Sequence, residues 1–385
     1  MPEGWIHVPS YCFRFRGLLV LDQSPVLLIT GATGLVGSEL LRRLLPAKQG
    51  RRIVVLCRQR AKIAEIKLIG DVAVLEGDIS HPYLGLDPAT YAGLKAGITE
   101  VIHCAADTRF GLSLECARAV NTEGTRNLLK LASECENLRK FAHLSTVYVA
   151  GRATGYFREG PIRHQSGFCN TYQQSKYEAE QLVLRAMNEL PAAIFRLSSI
   201  IGDSQTGMVR QFNYVHQLMK LFPRNVLPVA PGLPNAPVDL IATDWATAAL
   251  AYLFESAFVP GRFYHVCGGP ERSLTVQEMI DLMVSIFESH PVGRKWLPIR
   301  VPELVSLPRY EEFVKQRHLD GDKLFNELLR VLGYFIPHLA MFQAFDSRNL
   351  MEALVGSGLD FPPVRGYFRK VVSYCLEMNW RRRAA

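Results

Sequence analysis

The feature that most constrains the fold is a glycine-rich turn between an apolar run and a helical pattern. Val26–Thr30 is typical of a buried strand, and the segment TGATGLVG, residues 30–37, follows it directly. Glycines at this spacing permit a tight turn, the approach of a pyrophosphate to the backbone, and close packing of a helix on the strand. The helix N-terminus then offers free N–H groups to the phosphates. The sequence therefore predicts a dinucleotide site formed by Gly31, Thr33, Gly34, Leu35, Val36 and Gly37.

The first half of the chain alternates short β-branched runs with helical patterns. Helices are predicted from Ser38 and over Asn121–Glu134 and Tyr172–Met187. Further strands are predicted at Ile53–Cys57, Val72–Glu76, Val101–Ala105, Phe141–Ser145 and Ala193–Leu197. This alternation implies right-handed crossovers and a parallel sheet covered on both faces. The predicted fold class is α/β, a Rossmann-type doubly wound parallel sheet with a smaller, mostly helical C-terminal substrate lobe.

The pattern changes after Gly202, which suggests a domain boundary nearby. We predict an N-terminal extension at 1–24, a nucleotide-binding domain at 25–205 and a substrate-binding C-terminal lobe at 206–385. Whether the strand and helix segments near 238–267 belong to the nucleotide-binding domain stays open. Within the C-terminal lobe the sequence predicts a long loop at Pro223–Pro237 and a strand at Arg262–Val266. It also predicts a helix at Val276–Phe287, opened by a capping box at Thr275, and a largely helical last hundred residues.

Composition narrows the class of protein. The 385 residues are 48% hydrophobic and 21% charged, which excludes a disordered or coiled-coil chain. The net charge of +8 favours anionic small molecules weakly, and no nucleic-acid partner is expected. No run is long enough for a membrane span, because the nearest, Val331–Phe345, is short and contains Pro337. Peripheral membrane contact and the oligomeric state stay open.

The cysteines and histidines indicate neither disulfides nor a metal site. The 8 cysteines form no CxxC pair, several lie in apolar runs, and the N-terminus lacks the pattern of a signal peptide. We therefore expect reduced thiols in a cytoplasmic protein. The 10 histidines are too dispersed for a metal site, and His103, within an apolar strand, is expected to be a hydrogen-bonded core residue.

The preferred cofactor is predicted from the residues that follow the second strand. The segment Cys57–Arg60 holds two arginines and no carboxylate. An NAD site usually has an acidic residue here for the ribose hydroxyls, whereas arginine suits the 2′-phosphate of NADP. We therefore expect Arg58 to bind that phosphate and NADP(H) to be preferred over NAD(H). Four further cofactor-binding positions follow the third and fourth strands, and these are Asp78, Ile79, Ala105 and Ala106.

A tyrosine, a lysine and a threonine form the predicted catalytic group. Tyr172 and Lys176 are four residues apart at the start of a helix, so they share one face. A neighbouring ammonium favours the phenolate and lowers the pKa of a tyrosine, which suits proton transfer to a carbonyl as hydride arrives. Thr146 ends the fifth strand, where active sites of parallel sheets form and where a hydroxyl can stabilise a developing oxyanion.

The order of these motifs resembles the extended short-chain dehydrogenase/reductase superfamily. TGATGLVG is followed by GDI, HCAA, VNTEGTRNLL, LSTVYVAG and the YxxxK pair. More narrowly, the chain resembles the thioester reductase and male-sterility (fatty acyl reductase) branch of NAD(P)-binding domains, in the stretches 144–151, 172–183 and 195–207. The resemblance covers roughly Val26–Phe287 and does not extend to the last hundred residues.

The resemblance implies a role for individual residues. Thr146 would polarise the carbonyl and Tyr172 would be the acid, with Ser145 as a substitute hydroxyl. Lys176 would bind the nicotinamide ribose and tune Tyr172. Two more residues would line the cofactor, Asn121 and Ser198. The chain departs from many relatives at Leu197, where they carry proline.

Three functions are compatible with this pattern. The leading one is an NADP-dependent oxidoreductase that reduces an acyl thioester, delivered as acyl-CoA or on a separate acyl-carrier protein, to aldehyde or alcohol. Apolar residues after Gly202 would bind a medium or long acyl chain, namely Phe212, Tyr214, Leu218, Met219, Leu221 and Phe222, and the phosphates would meet Arg210, Lys220 and Arg224. The alternatives are an enzyme acting on a ketone or secondary alcohol (sterol- or flavonoid-type) or a sugar-nucleotide epimerase, and a non-catalytic dinucleotide-binding scaffold.

Overall fold

The computed structural model describes residues 24–47, 50–225, 228–319, 333–334 and 336–380. The predicted extension at 1–24 therefore lies outside the described residues except for Ser24. The strands are β1 (Val26–Thr30), β2 (Arg52–Cys57), β3 (Ala73–Glu76), β4 (Ile98–His103), β5 (Lys140–Thr146), β6 (Gly155–Phe157), β7 (Ala192–Leu197), β8 (Ser199–Gly202), β9 (Val229–Pro231), β10 (Pro237–Val238), β11 (Leu240–Ala242), β12 (Phe263–Val266), β13 (Leu274–Thr275), β14 (Glu303–Val305) and β15 (Gln343–Phe345).

The helices surround these strands. They are α1 (Leu35–Leu44), α2 (Ile63–Lys67), α3 (Pro88–Gly97), α4 (Leu114–Arg118), α5 (Gly124–Ser133), α6 (Thr171–Ala186), α7 (Tyr214–Leu221), α8 (Thr243–Ser256), α9 (Val276–Ser289), α10 (Leu307–Leu319), α11 (Arg348–Ala353) and α12 (Val364–Glu377). A π-helical turn, Ala119–Glu123, joins α4 to α5. In the part of the chain that the structure describes, no helix is both long and apolar enough to cross a membrane.

Seven parallel strands form the central sheet, in the order β12-β7-β5-β4-β1-β2-β3. Every residue of β1, β4 and β7 is buried, as expected for strands covered on both faces. Helices α1 and α8 pack on one face of the sheet, and α3, α5 and α6 pack on the other. The predicted α/β doubly wound sheet is confirmed. Its strand order reverses between β1 and β4, and ligands of such sheets bind at that switch point.

Small sheets and helices beyond Gly202 cover the carboxyl ends of the central strands. The structure departs here from the sequence-based expectation. The segment Pro223–Pro237 is not one long loop, because it contains β9 and the start of β10. Among the described residues of the last hundred, β14 and β15 interrupt the helices that the sequence predicts. These strands have three residues each and pair with distant parts of the chain, β9 and β6, so no local pattern marks them.

After α8 the chain returns to the central sheet at β12. β12 pairs with β7 in parallel, with Tyr264 opposite Phe195. The predicted capping box at the start of α9 is confirmed, because the Thr275 hydroxyl accepts the N–H of Glu278 at 3.1 Å and the Glu278 carboxylate accepts the N–H of Thr275 at 2.9 Å. The exact domain boundaries near 205 remain a prediction.

Candidate active site

The glycine turn brings the end of β1 against the chain that follows β4. Gly31 has a φ of +74°, and a Cβ added there would lie 2.5 Å from the amide nitrogen of Ala105. A Cβ at Gly37 would lie 2.3 Å from the carbonyl oxygen of Gly31, so the first turn of α1 also requires glycine. No side chain caps α1 at Gly34, and Thr33 is exposed beside it. This close approach and uncapped helix end match the needs of a pyrophosphate.

Arg58 and Asp78 lie together at the carboxyl ends of β2 and β3. The Arg58 side chain is 54% exposed, and its Nε is 3.8 Å from Oδ2 of Asp78. The other Asp78 oxygen accepts the N–H and the hydroxyl of Ser80, at 2.9 and 2.8 Å. Ile79 points inward instead, because a Cβ at Gly124 would lie 2.6 Å from its Cδ1. The guanidinium therefore lies at the edge where the adenosine ribose of a dinucleotide would be placed.

A chain of buried hydrogen bonds links the glycine turn to the π-helical turn. The Ala105 N–H donates to Thr30 Oγ1 at 3.3 Å, and that hydroxyl contacts His103 Nδ1 at 2.8 Å. His103 Nε2 contacts Thr125 Oγ1 at 3.0 Å, and Thr125 donates to the Asn121 carbonyl at 2.7 Å. Because Thr125 donates onward, His103 must carry its proton on Nε2. Burial lowers the pKa of His103 to about 3, so it is the neutral core residue expected.

Asn121 uses its side chain within the protein. Its Nδ2 donates to the Asp107 carbonyl at 3.0 Å and to Ser175 Oγ at 2.9 Å. Its Oδ1 accepts the N–H of Asp107 at 2.7 Å. Asn121 therefore ties the loop after β4, which includes Ala106, to the helix that carries the tyrosine and the lysine. Its direct contact with a cofactor remains a prediction.

The three predicted catalytic residues converge where β5 ends and α6 begins. The Tyr172 hydroxyl lies beside that of Thr146, whose Oγ1 accepts the N–H of Tyr148 at 3.3 Å. Lys176 lies one turn further along α6, and its Nζ donates to the Leu144 carbonyl at 2.8 Å. The same Nζ is 3.5 Å from Nε2 of His143, a buried imidazole. Two hydroxyls and an ammonium are therefore grouped at the carboxyl end of the sheet.

Burial controls the charges of this group. It raises the pKa of Tyr172 to about 12, and the hydrogen bond from Thr146 opposes that shift. It lowers the pKa of Lys176 to about 8, and the nearby Glu180 opposes that shift. The expected lowering of the Tyr172 pKa by Lys176 is not observed, because the Lys176 ammonium is directed at Leu144 and His143. At neutral pH the tyrosine is a protonated phenol, as an acid requires.

Two serines that the sequence analysis considered are directed elsewhere. Ser145 donates to the Glu180 carboxylate at 2.9 Å, on the opposite face of β5 from Thr146. Glu180 in turn pairs with Arg196, which is 0% exposed. Ser198 donates to Oδ1 of Asp239 at 2.6 Å. In this structure neither hydroxyl is directed at Tyr172, and the role of Ser198 toward a cofactor remains a prediction.

Sequence reasoning missed a set of side chains next to Tyr172. The hydroxyls of Tyr148 and Ser199 are 2.6 Å apart, and Tyr214 donates to Tyr148 at 2.9 Å. The ring of Phe110 lies 5.6 Å from that of Tyr172 and 5.2 Å from that of Tyr214. Tyr148 stands in the LSTVYVAG motif, so its proximity to Thr146 was a signal. Tyr214 was predicted only as an apolar wall residue, and Ser199 gave no signal.

An apolar cavity begins at Val215, the residue after Tyr214, and its lining includes none of Thr146, Tyr172 and Lys176. Helices α7 and α9 form two of its walls, and its lining includes Leu218, Met219, Leu221, Phe222, Met279 and Met283. Ile336 and Leu339 close another side, while the ring of the intervening His338 lies 5.1 Å from the Tyr148 ring, tilted by 59°. Four of the six apolar residues predicted after Gly202 therefore line one cavity. Phe212 packs on His216 instead, and Tyr214 belongs to the hydroxyl set. Among the described residues there is no group that could hold a metal ion.

Comparison with known proteins identifies the family. The family model for male sterility proteins matches residues 29–250. The chain belongs to the male sterility protein family. This is an NAD(P)-binding branch of the extended short-chain dehydrogenases/reductases, and the matched range of this chain includes the glycine turn, Thr146, Tyr172 and Lys176.

The chain is similar to parts of large synthetases and reductases. The aldehyde reductase lnaA of Aspergillus flavus is 26% identical over 365 residues, which are 87% of this chain and 34% of that protein. The hybrid PKS-NRPS synthetase ucsA of Acremonium sp is 32% identical over 201 residues, 51% of this chain and 5% of that protein. The chain thus spans about a third or less of the length of these relatives.

Solved structures confirm the fold of this family member. The terminal R domain from the myxalamid PKS-NRPS pathway superposes with a TM-score of 0.77 at 24% identity, covering 94% of this chain and 93% of that one. A UDP-glucuronic acid 4-epimerase from Bacillus cereus superposes with a TM-score of 0.62 at 17% identity, covering 92% of this chain and 100% of that one. Both share the doubly wound sheet.

Proposed function

We propose that this protein is an NADP(H)-preferring reductase that reduces an acyl thioester to an aldehyde or alcohol. The observation that carries the proposal is the grouping of the Tyr172 and Thr146 hydroxyls one helical turn from Lys176. This group lies at the end of the sheet where the glycine turn approaches Ala105. It can donate two hydroxyl protons to one carbonyl oxygen beside a dinucleotide. The named aldehyde reductases and synthetases among its relatives support the same chemistry.

The residues of this chain would act on the carbonyl oxygen. A bound nicotinamide cofactor supplies the hydride that adds to the thioester carbon. Tyr172 gives its phenol proton to the oxygen, while Thr146 donates a hydrogen bond to the developing oxyanion. The product of this addition is a hemithioacetal. When it collapses, the carbon–sulfur bond breaks, the electron pair leaves on sulfur, and the hydroxyl proton ends on the thiol, so that an aldehyde and a thiol are released.

The preference for NADP(H) is argued from Arg58. Its guanidinium is half-exposed at the end of β2, and Arg60 lies one turn further in the same exposed connection. No acidic residue ends β2, where NAD-binding sites have one for the ribose hydroxyls. Asp78 follows the neighbouring strand β3, and its Oδ2 lies 3.8 Å from the Nε of Arg58, so it pairs with the guanidinium. A 2′-phosphate would gain a charge-assisted hydrogen bond at this position.

The acyl group is proposed to lie in the apolar cavity between α7 and α9. The cavity wall contains almost no polar surface, and three of its lining residues are methionines, whose unbranched side chains adapt to different chains. Each methylene that enters such a site gains about 0.8 kcal/mol. A sugar nucleotide would leave its hydroxyls unpaired there. Lys220, in the last turn of α7, and Arg224, in the turn that follows, are the cations proposed to meet the phosphate of CoA or of an acyl-carrier protein. A cytoplasmic location is also part of the proposal.

The test follows NADPH oxidation and thiol release together. Parent protein would be assayed with an acyl-CoA series, simple ketones and a UDP-sugar, with products identified by mass. We expect thiol release that rises with acyl length, and a loss of about 10²–10⁴-fold in turnover for Tyr172→Phe. The matched control is Tyr156→Phe, since Tyr156 is 75% exposed on β6. Oxidation of NADPH with ketones or UDP-sugars and no thiol release from any thioester would refute the proposal.

A further inference from the structure

Three hydroxyl groups from separate parts of the chain meet beside Tyr172. Tyr148 follows β5 by two residues, Ser199 begins β8, and Tyr214 begins α7. Tyr148 and Ser199 are joined at 2.6 Å, Tyr214 and Tyr148 at 2.9 Å, and Ser199 also bonds directly to Tyr214. These three residues are called the hydroxyl triangle below. Neither the family match nor the chemistry proposed above gives them a role.

The hydrogen-bond count shows what the triangle can do. A hydroxyl has one proton to donate and two lone pairs that accept. Three hydroxyls in three mutual contacts use one proton each when they are oriented in one direction around the ring. The triangle is then a source of acceptors and not of donors. It is unsuited to polarising a carbonyl oxygen, and that task stays with Thr146 and Tyr172.

The triangle connects two parts of the site. Tyr148 is anchored next to Thr146, whose Oγ1 accepts the Tyr148 N–H at 3.3 Å. Tyr214 is the first residue of α7, and the following residues Val215 and Leu218 line the apolar cavity. Phe110 packs against the rings of both Tyr214 and Tyr172, which places the start of α7 next to the acid. The cavity wall is therefore hydrogen-bonded to the catalytic strand through three side chains.

We propose that Tyr148, Ser199 and Tyr214 are positioning residues that hold the first turn of α7 against the end of β5. By doing so they align the apolar cavity with the carbon that Tyr172 and Thr146 serve. This inference rests on the proposed function for its substrate, because the aligned group is the acyl chain. Loosening the triangle would move the cavity wall and leave the acid in place. Substrate binding and chain-length selection would suffer more than the chemical step.

The first test compares two buried phenols. Tyr214→Phe removes one hydroxyl of the triangle, and Tyr367→Phe removes a buried hydroxyl that donates to the Leu240 carbonyl at 2.7 Å, outside the site. Loss of one buried hydrogen bond is expected to lower stability similarly in both. Only Tyr214→Phe should raise the KM for a long acyl thioester, by about tenfold, and flatten the dependence on acyl length. Its kcat should stay within about threefold of the parent, unlike that of Tyr172→Phe.

The second test needs no substrate. Amide hydrogen exchange of α7 should accelerate about tenfold in Tyr214→Phe and in Ser199→Ala, and should be unchanged in Tyr367→Phe. Ser199→Thr keeps a hydroxyl and should restore slow exchange and a low KM. Equal exchange of α7 in parent and Tyr214→Phe, or a KM that rises no more than in Tyr367→Phe, would overturn the inference. If the parent releases no thiol from any thioester, the proposed function fails, and exchange alone decides whether the triangle holds α7.

Discussion

Replacing Lys176 by methionine should stabilise the protein while abolishing turnover. The Lys176 side chain is 2% exposed, and burial lowers its pKa from 10.5 to about 8. The unfolded chain keeps an ordinary, fully hydrated ammonium. At neutral pH the folded protein therefore holds a charge that burial disfavours, and the hydrogen bond to the Leu144 carbonyl offsets only part of that cost. Methionine is similarly long and unbranched and carries no charge.

The shift sets both the size and the pH dependence of the effect. One pKa unit corresponds to about 1.4 kcal/mol, so a fall from 10.5 to about 8 costs about 3 kcal/mol of folding free energy. The folded pKa is the lower one, so the unfolded chain binds more protons between these values. Stability of the parent therefore rises with pH through the window from about 8 to 10.5. The advantage of Lys176→Met should be full below pH 8 and should vanish above about pH 10.5.

Urea unfolding at pH 7 and at pH 10 measures this difference. We expect Lys176→Met to exceed the parent by about 1–3 kcal/mol at pH 7, after the lost hydrogen bond is discounted, and by much less at pH 10. Lys62→Met is the matched control, because the Lys62 side chain is 41% exposed and pairs with Glu65. A Lys176→Met variant that is less stable than the parent at pH 7, or whose advantage is the same at both values, would refute a desolvated ammonium at this position.

Two further predictions concern cofactor choice and the ion pair below the site. Isothermal titration should show NADPH binding at least about tenfold more tightly than NADH. Arg58→Ala should remove most of that difference, and the control Lys62→Ala should leave it intact. Equal affinities of the parent protein for the two cofactors would contradict the role of Arg58. Glu180→Gln should lower the free energy of unfolding by about 3–5 kcal/mol, because Arg196 would stay buried without its counter-charge, and the further change Arg196→Met should recover part of that loss in urea denaturation. An unchanged stability of Glu180→Gln would show that water reaches the guanidinium.

The central sheet could be predicted from the sequence because its strands are continuous buried runs. The bounds of β1 are those expected, β2, β3 and β7 each differ by one residue at the start, and β5 is longer by one residue at each end. The error was largest for β4, which begins at Ile98 and ends at His103, because the loop residues Cys104 and Ala105 are as apolar as the strand. Short strands such as β15 were missed, since its three residues are defined by pairing with β6 almost two hundred positions away.

The part of the candidate site that depends on the spacing of motifs along the sequence could be predicted. Thr146 and Tyr172 meet because a strand end and a helix start were both visible in the sequence. The direction of the Ser145 side chain could be predicted only by knowing which face of β5 each residue occupies, since adjacent residues of a strand point to opposite faces. The state of Tyr172 required two facts that the sequence does not show, its burial and the direction of the Lys176 ammonium toward Leu144 and His143. The hydroxyl triangle depends on residues 51 and 66 positions from Tyr148, and no local pattern pairs them.

The polar groups of the site form two layers with different tasks. The lower layer is satisfied within the protein: Arg196 neutralises Glu180, which accepts from Ser145, and His103 is held between Thr30 and Thr125. Those bonds fix the ends of β4, β5 and α6 without touching a substrate. The upper layer consists of the Tyr172 and Thr146 hydroxyls, which are grouped where β5 ends and α6 begins. Preorganised donors of this kind cost no reorganisation during reaction, but only if the layer beneath does not move. The rigidity of the buried ion pair is therefore a condition for the proton transfer that Tyr172 is proposed to perform.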